Sequence, residues 1–208
     1  MKIVCLGDSL TQARYLHYQD RWVTLAADKL DLQILNRGIH GDTTTGMIGR
    51  FYPHVVQESP DAVFIMGGLN DLWFGAAAGT IIGNLFSMVR MAQYHQIIPV
   101  LGLPTPLDDD LLGDQGDMAP FYPEGKGLER YLELIHGIKR FFEADGELCI
   151  PMYKGLVHED GRGKGELFIE DGLHPNREGN KLMFQNFAEG IGQIDWQKEK
   201  QRIAELSL

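Results

Sequence analysis

A parallel β-sheet covered on both faces by helices is the fold class that the sequence predicts. Short apolar runs rich in β-branched residues alternate with segments of helical spacing, and the first four runs each lead into a loop dense in glycine, proline or polar residues. The runs lie at residues 2–6, 32–35, 61–66 and 97–101, with a weaker one near Leu148, and each reads as a buried strand. Between them, Trp22, Leu25, Ala26 and Leu30 are spaced as one helix face, as are Leu85, Met88, Val89 and Ala92, and then Leu128, Tyr131, Leu132, Ile135, Ile138 and Phe142. A last core helix carries Leu182, Met183, Phe184 and Phe187. Right-handed crossovers in such a sheet bring every strand's carboxyl end to one edge, where ligands bind.

Composition narrows the partners. The 208 residues suffice for one compact domain, 1–208, and leave little room for a second. Nineteen Lys and Arg against 29 Asp and Glu give a net charge of −10, which repels nucleic acid and anionic membrane surfaces. No run of 18 apolar residues predicts membrane insertion, and the first residues show no apolar segment followed by a small-residue cleavage site, so a cytoplasmic location is expected. Cys5 and Cys149, each in a strand-like context, read as small buried hydrophobes and not as a bridge.

The loops hold the chemistry. Ser9 directly follows the first strand. A serine hydroxyl is a poor nucleophile unless a base takes its proton, a third group orients that base, and donors meet the oxyanion. His174 lies three residues after Asp171 in a loop bounded by Gly172 and Pro175, so the carboxylate can fold back onto imidazole Nδ1 while Nε2 faces Ser9. The backbone N–H groups of Ser9 and Gly41 and the side-chain amide of Asn70 would supply three neutral oxyanion donors. His158, two residues before Asp160, is the rival base. A Gly-x-Ser-x-Gly elbow is absent, which argues against the ordinary α/β-hydrolase fold.

The segments Gly7-Asp8-Ser9-Leu10-Thr11, Ile39-His40-Gly41-Asp42-Thr43-Thr44, Gly68-Leu69-Asn70-Asp71 and Asp171-Gly172-Leu173-His174-Pro175 together resemble the SGNH or GDSL hydrolases, in that family's order and over nearly the whole chain. The resemblance implies a flavodoxin-like three-layer α/β/α sandwich with a mainly parallel sheet of about five strands. It also implies an esterase, lipase or thioesterase in which Ser9, Gly41, Asn70 and His174 are the four name-giving residues and Asp171 completes the triad. The expected activity is cleavage of a small or short-chain carboxylic ester through an acyl-serine, without metal or organic cofactor. An acyl thioester and a lysophospholipid remain alternatives, as does a flavodoxin-like module whose residues 7–11 bind phosphate without catalysis.

Other residues carry weaker expectations. His40, Trp73, Phe74, Phe121 and Tyr122 are candidates for the substrate wall, and residues 103–127 for a lid. Asp108, Asp109, Asp110, Asp114 and Asp117 make that segment acidic, with only Lys126 opposing them, which favours neutral esters over acyl-CoA. Asp8, Asp42 and Asp71 are expected to brace their loops by accepting backbone N–H bonds. The apolar stripe Trp196, Ile203 and Leu206 packs either on its own domain or on a second copy as a homodimer.

Overall fold

The computed structural model describes residues 1–106 and 126–206. Five strands, β1 (Lys2–Gly7), β2 (Gln33–Gly38), β3 (Ala62–Met66), β4 (Ile98–Leu103) and β5 (Leu148–Pro151), form one sheet in the order β2-β1-β3-β4-β5. Every pairing is parallel. The three inner strands are buried along nearly their whole length, whereas β2 and β5, at the edges, are only partly covered. That contrast explains why the first, third and fourth runs read so clearly and the fifth so weakly.

The helices are α1 (Ser9–Gln12), α2 (Trp22–Lys29), α3 (Thr44–Gly49), α4 (Phe51–His54), α5 (Leu69–Trp73), α6 (Ala78–Tyr94), α7 (Gly127–Ile138), α8 (Arg177–Gly192) and α9 (Trp196–Leu206). Helices α2 and α8 pack together on one side of the sheet, where Trp22 and Phe187 meet Phe64 of β3 at ring-centroid distances of 5.6 and 5.2 Å. Helix α6 packs against α3 and α7. The result is a flavodoxin-like α/β/α sandwich, as expected. At the C-terminus Ile203 is buried and Trp196 packs on the core, but Leu206 is 54% exposed, so the predicted stripe turns inward at two of its three positions.

Register positions the site. Gly7 of β1 is paired with Gly38 of β2 on one side and with Met66 of β3 on the other. Three strands therefore end level, and the loops beginning at Asp8, Ile39 and Gly67 leave side by side. Gly38 is required there: a Cβ would lie 2.3 Å from the backbone nitrogen of Gln12.

Candidate active site

Asp8, not Ser9, caps the first helix. Its carboxylate Oδ1 accepts the Leu10 N–H at 2.9 Å, which leaves the Ser9 hydroxyl free for another partner. That partner is His174, whose Nε2 lies 2.9 Å from Ser9 Oγ. On the other side of the ring, His174 Nδ1 lies 2.5 Å from Asp171 Oδ2. The remaining oxygen, Asp171 Oδ1, accepts the backbone N–H groups of Leu173 and His174, both at 2.9 Å. Burial opposes ionisation of Asp171, but the bonds from the His174 ring and from these two amides outweigh it and hold the carboxyl below its ordinary pKa. A hydroxyl, an imidazole and an ionised carboxylate thus form one hydrogen-bonded chain, in which a serine proton can pass to Nε2.

Local folding sets the loop of His174. Ile169 N–H donates to the His174 carbonyl at 2.9 Å, Phe168 bridges to Pro175, and Gly172 turns the chain at φ +64°. Asn176 then caps α8 by accepting from Glu178 and Gly179. The Tyr15 ring packs on the imidazole, with centroids 4.6 Å apart, and His40 lies over it in near-parallel orientation at 6.0 Å.

Three further donor groups lie on loops that leave the same edge of the sheet. Gly41 has φ +75°, a conformation that suits glycine, and among the described residues, its chain neighbours aside, no atom lies within 4 Å of where its Cβ would be. Asn70 Nδ2 donates one hydrogen to the Asp42 carbonyl at 2.8 Å, which fixes the amide plane and leaves its second N–H available. The backbone N–H groups of Ser9 and Gly41 donate to no acceptor among the described residues. The neighbouring Asp71 carboxylate receives the Thr44 N–H at 2.9 Å and the Thr44 hydroxyl at 2.5 Å, locking the start of α3 to α5.

These loops match known proteins. Residues 5–182 match the GDSL-like lipase/acylhydrolase family. The chain belongs to that family. It is 33% identical to an arylesterase of Vibrio mimicus over 85% of this chain and 81% of the relative, and 30% identical to an acetylxylan esterase of Geobacillus stearothermophilus over 96% and 97%. A solved member of the lipolytic protein G-D-S-L family from Veillonella parvula superposes with a TM-score of 0.75 at 23% identity, covering 93% of this chain and all of that one. This GDSL-family chain is accordingly a carboxylic ester hydrolase.

The remaining expectations divide. Ser9, Asp171, His174 and His40 come together, and Gly41 and Asn70 share their edge of the sheet. Trp73 packs partly against the core, while Phe74 is 59% exposed. Asp160, the carboxylate that would have served His158, is paired with Arg162 at 2.8 Å. Burial pushes the Cys5 thiol far above its ordinary pKa; it is also the main cause that raises Cys149 to about 12, so neither is an activated nucleophile. Asp8 and Asp71 accept backbone N–H bonds as expected, but Asp42 does not: its carboxylate binds the Arg50 guanidinium, a charged side chain that outcompetes an amide. Phe121, Tyr122, Asp108, Asp109, Asp110, Asp114 and Asp117 lie outside the described residues. Tyr15, Thr44 and Arg50 were not anticipated from the sequence. Thr44 lies within the segment 39–44 that resembles the family, whereas Tyr15 and Arg50 lie outside every such segment.

Proposed function

We propose that Ser9 is the nucleophile of a short-chain ester hydrolase, with His174 as its general base and acid and Asp171 orienting the imidazole. Ser9 Oγ attacks the ester carbonyl carbon as its proton passes to His174 Nε2, forming a tetrahedral oxyanion. The backbone N–H groups of Ser9 and Gly41 and the side-chain N–H of Asn70 receive that oxyanion. As the tetrahedral species collapses, His174 returns the proton to the leaving alcohol oxygen, and an acyl-serine remains. Water, deprotonated by His174, then attacks the acyl carbon, and collapse releases the carboxylic acid and restores Ser9.

The observation that carries this reading is the unbroken Ser9–His174–Asp171 chain at 2.9 and 2.5 Å, from loops 165 positions apart in sequence. The Ser9 and Gly41 N–H groups, which meet no acceptor among the described residues, and the second N–H of Asn70 support the oxyanion assignment, because all three remain available to it. The two relatives, named for aryl and acetyl esters, favour small neutral esters as substrates.

The test is Ser9→Ala, assayed on p-nitrophenyl esters from acetate to palmitate. We expect kcat to fall by roughly 10⁴ to 10⁶ with the fold retained, and wild-type activity to be greatest on the shortest acyl chains. A folded variant keeping more than a tenth of wild-type activity removes Ser9 from the mechanism, and a preference for palmitate removes the substrate assignment.

A further inference from the structure

We propose that Arg50 is a positioning residue that fixes the oxyanion donors of Gly41 and Asn70 to the ends of the two strands beside them. This rests on the assignment of those donors above. Arg50 stands between α3 and α4, outside every motif at the site, and its side chain is only 12% exposed.

Its guanidinium spends each nitrogen on a different piece of the catalytic edge. Nε donates to Asp42 Oδ2 at 2.6 Å, Nη1 to the Arg37 carbonyl at 2.7 Å, and Nη2 to the Gly7 carbonyl at 2.9 Å. Nη1 also meets His54 Nδ1 at 3.0 Å, which makes that ring nitrogen an acceptor, because guanidinium only donates. The burial, Arg50 and Arg37 that face His54 all lower its pKa and keep it in the neutral form this contact needs, against the smaller opposing charges of Asp42 and Glu58.

The consequence lies in what Asp42 does with its other groups. Its carbonyl accepts the Asn70 amide at 2.8 Å, its peptide nitrogen joins it to Gly41, and its N–H closes a turn onto the Ile39 carbonyl at 3.2 Å. The Gly7 carbonyl held by Arg50 also accepts the Ile39 N–H at 3.0 Å, and Gly7 is two residues before Ser9. One planar cation therefore ties β1 and β2 to Asp42, the residue whose carbonyl holds one donor, Asn70, and which directly follows the other, Gly41. Catalytic donors lose most of their value when displaced by about 1 Å, so the tie should act on the transition state. A lysine ammonium cannot reproduce it, since three separated acceptors need the guanidinium fork.

The experiment combines Arg50→Lys with Asn70→Ala in a double-mutant cycle on p-nitrophenyl acetate. Affinity for an alkyl boronic acid, which mimics the tetrahedral species, is measured in parallel. We expect Arg50→Lys to lower kcat about 10- to 100-fold with KM within twofold, and to weaken boronate binding by a similar factor. In the Asn70→Ala background the same substitution should cost at least threefold less. Asp42→Asn, which keeps the size of the side chain, serves where Arg50→Lys lowers Tm below the assay range, and should show the same kcat pattern. A rise in KM alone, or equal factors in both backgrounds, overturns the proposal for Arg50. An Asn70→Ala enzyme with unchanged kcat overturns instead the donor assignment on which it rests.

Discussion

Asp8→Asn should stabilise the protein, and more so at higher pH. Asp8 is 1% exposed; Oδ1 accepts the Leu10 N–H, and Oδ2 has no hydrogen-bond partner among the described residues. Burial is the main cause that raises its pKa from 3.8 to about 7; the Leu10 bond and the His174 charge pull it down, while Asp71 and Asp42 push it further up. Between these two values the native state binds a proton that the unfolded chain has lost, so stability falls as pH rises through that window. The contribution is whole below pH 3.8 and gone above about 7. With one pKa unit equal to about 1.4 kcal/mol, the ionised carboxylate costs the fold roughly 4 kcal/mol at pH 8, and about 2 to 3 kcal/mol of this accrues between pH 5 and pH 8. Asparagine keeps the capping oxygen and carries no charge to bury. Urea denaturation of both proteins at pH 5 and pH 8 measures the difference. A stability gap that is the same at both pH values, or that favours wild type at pH 8, would refute the account of Asp8 as a buried carboxyl with an unpartnered oxygen.

Three further outcomes are expected. Asp171→Asn removes the acceptor that holds the imidazole tautomer, and should lower kcat by roughly 10² to 10⁴ with KM nearly unchanged, measured on p-nitrophenyl acetate. Asn70→Ala should cost about 10² to 10³ in kcat, since an oxyanion donor acts on charge present only in the transition state. Tyr15→Ala deletes the ring against His174 and should lower Tm together with kcat, while Tyr15→Phe should keep kcat within about threefold of wild type; a large loss in the phenylalanine variant would assign the effect to the hydroxyl.

Legibility in the sequence followed periodicity and proximity. Strands buried on both faces announce themselves as apolar runs, so the predicted bounds of β1, β3 and β4 lie within two residues of the observed ones, whereas β2, only partly buried, is predicted at residues 32–35 and runs over Gln33–Gly38. Asp171 and His174 were legible because they are three residues apart, and Ser9 because it follows a strand directly. The roles of Tyr15 and Arg50 were not, for a physical reason: both act across the chain, Tyr15 on a ring 159 positions away and Arg50 on carbonyls at the ends of two strands. Neither a β-turn nor a helical period marks such contacts. His40, a substrate-wall candidate from its place beside Gly41, lies over the His174 ring.

The His174 ring and the Ser9 hydroxyl come from opposite ends of the chain, and the fold must hold them in register. The donor loops leave strands that pair directly, so their spacing is inherited from the sheet. His174 has no such support, because it sits on the long connection between β5, at the sheet's far edge, and α8. Its register comes from Trp22 and Asn180. The Trp22 indole donates to the Leu10 carbonyl at 2.8 Å, next to Ser9, and the Trp22 backbone N–H donates to Asn180 Oδ1 at 3.2 Å. Asn180, wholly buried, in turn donates to the Pro175 carbonyl at 2.8 Å, next to His174. Four residues thus connect the segment carrying the hydroxyl to the segment carrying the imidazole without passing through the side chain of Ser9 or His174. All three hydrogen bonds are buried, where one lost leaves an unpaired partner at a cost of about 1 to 3 kcal/mol, so the fold resists the slippage that would part Ser9 from His174. The aromatic contacts of Trp22 with Phe64 and Phe187 then anchor this bridge in the core, which makes α2 the element through which sheet packing reaches the alignment of His174 with Ser9.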